Sequence, residues 1–246
     1  MTSGIQGVVQ FILERWPASR TPLRGASKDE IHRLEEVQGR TLPEAYKTFL
    51  THVGHGSDGL AWEHIDFRPS AIERFVTRSR RLSLVPRRYI LVGRDLTESE
   101  LEYFLDLGVD SGNGPPAVRV PVINLEDKLE PESERIHPDA TSLAEMLFRE
   151  AYHDLRVEPM QHMSLHSDVR GENPPKERAE QVLTELGLIR HPLSGPWVQG
   201  YESDEGVIEV RWLKGEGLQL IAASDHEEWI SKVGKELRSR LPVVLI

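Results

Sequence analysis

Four histidines, His32, His52, His55 and His64, stand close together in the chain, and neutral imidazole is a good zinc ligand. His52 and His55 are spaced to share a helix face. The rest of the pattern does not complete a site: His55 lies between glycines at a helix end, His32 belongs to another helix, and no nearby carboxylate has ligand spacing. His153, His162 and His166 lie on or beside a stretch that reads as a linker. No metal or cofactor is therefore expected. Glu98, Glu100 and Glu102 could in principle supply paired carboxylates for acid–base work. Alternation along a strand aims all three the same way, toward solvent, where they suit a basic partner better than a shared substrate proton. "GNGPP" and "KGEG" lack the strand-to-helix setting and the Lys-Ser/Thr of a phosphate loop, so they read as turns. There is no Gly-x-Ser-x-Gly elbow, and no cysteine anywhere. The expectation is a protein that is not an enzyme. Trp62 and Glu63, after a glycine-rich loop, join Asp95, Glu98, Glu100 and Glu102 as candidate partner-binding residues.

The elements that must position these residues follow from periodicity. "IQGVVQFILERW" places Ile5, Val8, Val9, Ile12, Leu13 and Trp16 on one side of a helix, which Pro17 and Pro22 then break. Ser27 and Glu30 make a capping box for a second helix that ends at Gly39. Thr41 is placed to cap a third, with Pro43 in its first turn and Gly54 and Gly56 free to take positive φ at its end. Strands are expected at "YILVG" (89–93), "LEYFLDL" (101–107) and "AVRVPV" (117–122), with a shorter one around "LAWEHIDF" and a helix over 70–82. In the second strand Leu101, Tyr103, Leu105 and Leu107 form the core face, and Glu102, Phe104 and Asp106 the wet one. Ser142 and Glu145 again resemble a capping box, opening a helix that carries Leu143, Met146, Leu147 and Ala151.

Residues 156–175 have little apolar periodicity and read as a linker. A smaller unit follows, with a helix over 176–187, strands at "WVQGYE", "GVIEVRWL" and "GLQLIAA", and a last helix capped by Ser224. The final "LPVVLI" reads as an edge strand or packed tail. The expected organisation is a first α+β domain over 1–155, a linker over 156–175, and a small α+β domain over 176–246 of helix, three strands and helix.

The 246 residues carry a net charge of −10, which argues against general phosphate-backbone binding and favours basic partners. The charge is locally uneven. Arg68, Arg74, Arg78, Arg80, Arg81, Arg87, Arg88 and Arg94 are followed by Asp95, Glu98, Glu100, Glu102, Asp106 and Asp110. These runs are either solvated faces, faces that neutralise each other, or an interaction surface. "MTSGIQGVVQFILERWPASR" lacks a basic leader, and no run approaches the roughly 20 apolar residues that span a bilayer. A cytoplasmic location is expected.

The stretch "IHRLEEVQGRTLPEAYKTFLTHVGHG", followed by "YILVG", "YFLDLG", "AVRVPV" and "TSLAEMLFREAY", resembles the SUKH superfamily. These are bacterial immunity proteins related to the Smi/Knr-type fungal cell-wall-assembly regulators. The family's Ile-x-x-Leu-Glu helix, Leu-Pro-x-x-Tyr-x-x-Phe-Leu helix and glycine terminus fall on Ile31, Leu34, Glu35, Leu42, Pro43, Tyr46, Phe49, Leu50 and Gly54. The likeness covers residues 25–155. "RDLTESE" departs from the glycine-rich turn usual after the "YILVG" strand. The resemblance implies SUKH-like helices on a mainly antiparallel sheet, no catalytic residues, and an inhibitor that occludes the active site of a cognate toxin, often a nuclease. The alternative is a regulatory or scaffold interaction protein without a toxin partner.

Overall fold

The computed structural model describes residues 4–55, 64–97, 100–109, 114–168, 174–213 and 217–246. The chain is an α+β protein whose described strands form two antiparallel sheets, of five and six strands. No described helix is long and apolar enough to cross a membrane. Two compact units divide between Met146 and Leu147.

The first unit opens with α1 (Ile5–Arg15), α2 (Lys28–Gln38) and α3 (Glu44–Val53). The Ser27 capping box forms as expected: the Glu30 N–H donates to the Ser27 hydroxyl, and the Ser27 N–H donates to the Glu30 carboxylate. Gly39 ends α2 in the left-handed region at φ 65°, where a glycine costs no Cβ clash. The cap of α3 differs from expectation. Pro43, not Thr41, is its N-cap residue, and no side chain caps it. Gly54 is right-handed, and what requires glycine there is space, since a Cβ would lie 2.5 Å from the Leu50 carbonyl oxygen. Gly56 lies outside the described residues.

The strands β1 (Ile65–Asp66), β2 (Tyr89–Asp95), β3 (Glu102–Asp106), β4 (Ala117–Val120) and β5 (His137–Ala140) pair in sequence order. Helix α4 (Pro69–Arg78) lies between the first two. The signature residues are packing. Leu34, Leu42, Tyr46, Phe49 and Leu50 are all buried; the Tyr46 hydroxyl donates to the Val92 carbonyl at 3.0 Å, and the Phe49 ring meets Phe67 edge-on. Glu35 spans the hinge, accepting the Leu42 N–H at 2.9 Å and pairing with Lys47 at 2.9 Å. Those contacts hold its carboxyl below the usual range.

The second unit contains more sheet than expected. Its strands β6 (His162–Ser167), β7 (Ile189–Arg190), β8 (Val198–Glu202), β9 (Val207–Leu213), β10 (Gly217–Ser224) and β11 (Val244–Leu245) run in the order β11-β6-β10-β9-β8-β7. The expected linker thus contains β6, which pairs with β10 on one side and β11 on the other. Its polar sequence hid it, because strand pairing needs backbone groups and not apolar side chains. The edge-strand reading of the chain end holds, as β11. One face of this sheet buries Ile208, Val210, Leu218 and Leu220 with Leu183 of α6 (Lys176–Glu185) and Trp229, Val233 and Leu237 of α7 (Glu227–Arg240).

The division between units falls inside α5 (Leu143–Tyr152), which runs on into a π-helical turn, His153–Val157. Within the second unit the Tyr152 hydroxyl donates to the Tyr201 carbonyl at 2.9 Å. The Tyr152 ring fills the place where a Gly200 Cβ would stand, 2.5 Å from its nearest ring carbon. The end of this helix therefore belongs to the second core, although periodicity placed it in the first domain.

Candidate functional site

Three of the six candidate residues, Trp62, Glu63 and Glu98, lie outside the described residues. The other three surround the connection between β2 and β3, and they do not form an acidic face. Asp95 is buried. Its carboxylate accepts the Thr97 N–H at 2.9 Å, the Thr97 hydroxyl at 2.7 Å and the Leu101 N–H at 3.3 Å, so it ties Thr97 to Leu101. Glu100 is half-buried in the left-handed region at φ 57° and accepts the Asn124 amide at 2.7 Å.

Glu102 overturns the parity argument most clearly. It is 1% exposed; Arg94 Nε donates to both of its carboxylate oxygens at 2.8 Å, and the Asp95 N–H adds a bond at 2.9 Å. Burial pushes its carboxyl up, and the Arg94 contact only partly offsets this. The Arg94 guanidinium in turn lies 3.6 Å from the centroid of the Phe75 ring of α4, a favourable stacking for a planar cation. All five residues of β3 are buried. On the expected wet face Glu102 lies against Arg94, which stacks on the Phe75 ring, Asp106 is held by Arg88, and Phe104 between them is 2% exposed. A phenylalanine among the supposedly solvated residues was the signal available in the sequence.

The arginine run and the acidic run meet at two pairs, Arg88 with Asp106 and Arg94 with Glu102, while Arg68 pairs with Asp66 outside the acidic run. Arg68 grips Asp66 through Nε at 2.8 Å and Nη2 at 2.6 Å. Arg88 binds both oxygens of Asp106, and Arg94 holds Glu102. Arg68 and Arg88 engage their carboxylates side-on, through Nε and Nη2, a bidentate geometry that strengthens the pair, whereas Arg94 offers Nε to both oxygens of Glu102. These groups lock neighbouring strands and loops together. Arg74, Arg78, Arg80, Arg81 and Arg87 are exposed.

The histidines separate. His32 lies 3.4 Å from Glu36, His52 Nδ1 donates to the Thr48 carbonyl at 2.8 Å, and His55 pairs with Glu30 at 2.9 Å. Ser27 and His55 hold the Glu30 carboxyl down at about 2. Among the described residues, no group of three or more potential ligands is arranged to hold a metal ion.

One charged cluster was missed because His153 lies far in sequence from Glu209 and Arg211. Glu209 is fully buried, with His153 Nδ1 at 2.8 Å and Arg211 Nε at 2.5 Å. Burial alone would raise the Glu209 carboxyl, but Arg211 and His153 bring it below its ordinary value. The Glu209 hydrogen bond raises His153 against its own burial. His166 behaves oppositely: it is 0% exposed, its Nε2 meets the Ser164 hydroxyl at 3.0 Å, and burial followed by the charge of Arg238 lowers it.

No protein-family model and no curated protein matches this chain.

Proposed function

We propose that this protein works by binding another protein, as an immunity protein of the SUKH kind that neutralises a bacterial toxin by occluding its active site. The observation that carries this reading is the signature from Ile31 to Gly54: two helices hinged at Leu42–Pro43, with Leu34, Leu42, Tyr46, Phe49 and Leu50 buried and Tyr46 bonded to the central sheet. Those residues build a scaffold, and recognition is left to the surface. The net charge of −10 favours a basic partner.

Since Asp95 and Glu102 are committed to the fold, the acidic surface for that partner is the segment between β4 and β5. Glu126, Asp127, Glu130, Glu132 and Glu134 are all exposed there. Leu125 and Leu129 are buried beneath them, the Leu129 N–H donates to the Leu84 carbonyl at 2.9 Å, and the Tyr89 hydroxyl donates to Pro131 at 2.7 Å. The carboxylates therefore stand on a fixed frame, which reduces the ordering cost of binding. The test is co-expression with the toxin domain encoded beside its gene. The expected result is restored growth and a complex that survives gel filtration, with slower association once Glu126, Glu130 and Glu134 become glutamine. Growth arrest with no complex would overturn the reading.

A further inference from the structure

A second surface of the first unit has the opposite charge. Beside the first half of β2, a groove of about 390 Å³ is walled by Val37, Val76, Leu82, Val85 and Phe104, and Arg40 and Arg87 stand at its edge. That volume is within the range of small-molecule sites. The floor is already satisfied. Strand β1 pairs with β2 only at Asp95 and Arg94, and where it stops, the Gln38 amide takes its place, donating to the Leu91 carbonyl at 3.0 Å and accepting the Leu91 N–H at 3.1 Å.

The charge at the edge is not satisfied. Arg68, Arg88 and Arg94 each hold a buried carboxylate, whereas Arg40 and Arg87 form no ion pair among the described residues. Arg40 Nη1 donates to the Arg87 carbonyl, which fixes the half-buried guanidinium beside its exposed neighbour. Burial, and then the charge of Arg87, lower the affinity of Arg40 for its own proton. The C-terminus of α2 opposes this with about half a negative charge, too little to neutralise two full positive charges. The Glu35 and Glu36 carbonyls of its last turn are moreover occupied by the Gly39 and Arg40 N–H groups.

We infer that this groove binds a small anion with a short apolar body, a carboxylate or a phosphate monoester, its head on Arg40 and Arg87 and its body against Val76, Leu82 and Phe104. Guanidinium favours both head groups, and the apolar walls select against bare inorganic ions. Titration calorimetry of the full chain with octanoate and with octyl phosphate tests it, with octanol and octyltrimethylammonium as controls. Saturable 1:1 binding of either anion supports the site, and the tighter one identifies the head group. Arg87→Gln, an exposed position, should weaken binding about tenfold or more without moving the melting temperature. Amide shifts in ¹⁵N NMR of the unsubstituted protein should centre on Gly39, Arg40 and Arg87. Absence of binding by both anions, equal binding of octanol, or shifts centred elsewhere would each overturn the site.

Discussion

At Glu102 and Arg94, burial decides what an ion pair is worth. A carboxylate at 1% exposure loses its hydration, and the raised Glu102 carboxyl indicates that Arg94 does not fully restore it. Such a pair specifies geometry more than it adds stability, and breaking it from one side is costly. Arg94→Met should therefore cost about 3 to 5 kcal/mol at pH 7 by urea unfolding. In that variant the folded carboxyl is raised further above its unfolded value. The stability is then present below the unfolded value, near 4.5, and is lost as pH rises through the folded one, so the deficit should shrink toward pH 5. A deficit that does not change with pH would place the cost in the lost Phe75 stacking. His153 and His166 give opposite dependences. His153 is raised when folded, so its contribution is present below the unfolded value and declines as pH rises through the folded one. His166 is lowered, so its contribution is present above the unfolded value and declines as pH falls through the folded one. Unfolding at pH 5, 6.5 and 8 should show His153→Gln flattening the alkaline limb and His166→Gln flattening the acid limb.

At the scale of elements, the join between α3 and the segment before α2 is the tightest described point of the first unit. The Ala26 N–H donates to the Leu50 carbonyl at 2.7 Å and the His55 N–H to the Arg24 carbonyl at 2.9 Å. Between them a Cβ on Gly25 would lie 1.6 Å from the Thr51 carbonyl oxygen, so no side chain fits without moving backbone. Gly39→Ala meets nothing within 4 Å and should cost only the left-handed strain, about 1 kcal/mol. Gly25→Ala should cost several times more or prevent folding, and thermal melting of the two variants side by side would show it. Equal melting temperatures would mean that the segment before α2 moves freely away from α3.

For the whole molecule, the second unit begins at Leu147 and includes β6. A fragment of 147–246 should unfold cooperatively. One of 176–246 should not, because it lacks a strand that pairs on both sides and the Tyr152 ring that packs on Gly200. Circular dichroism melting of both fragments decides this; a cooperative transition for the shorter one would return 156–175 to the role of linker.

Local signals in the sequence determined the α+β class, the Ser27–Glu30 capping box, the Gly39 terminus, the buried signature residues and the terminal edge strand. Each depends on neighbours within a few positions, where side-chain type and backbone geometry are directly coupled. Tertiary structure alone decided that Glu102 and Asp106 are buried under arginines, that a polar stretch supplies β6, and that the end of α5 serves the second core. Those outcomes depend on which distant segments cover a strand. Alternation can say that two faces differ, but only the assembled fold says whether water reaches either of them.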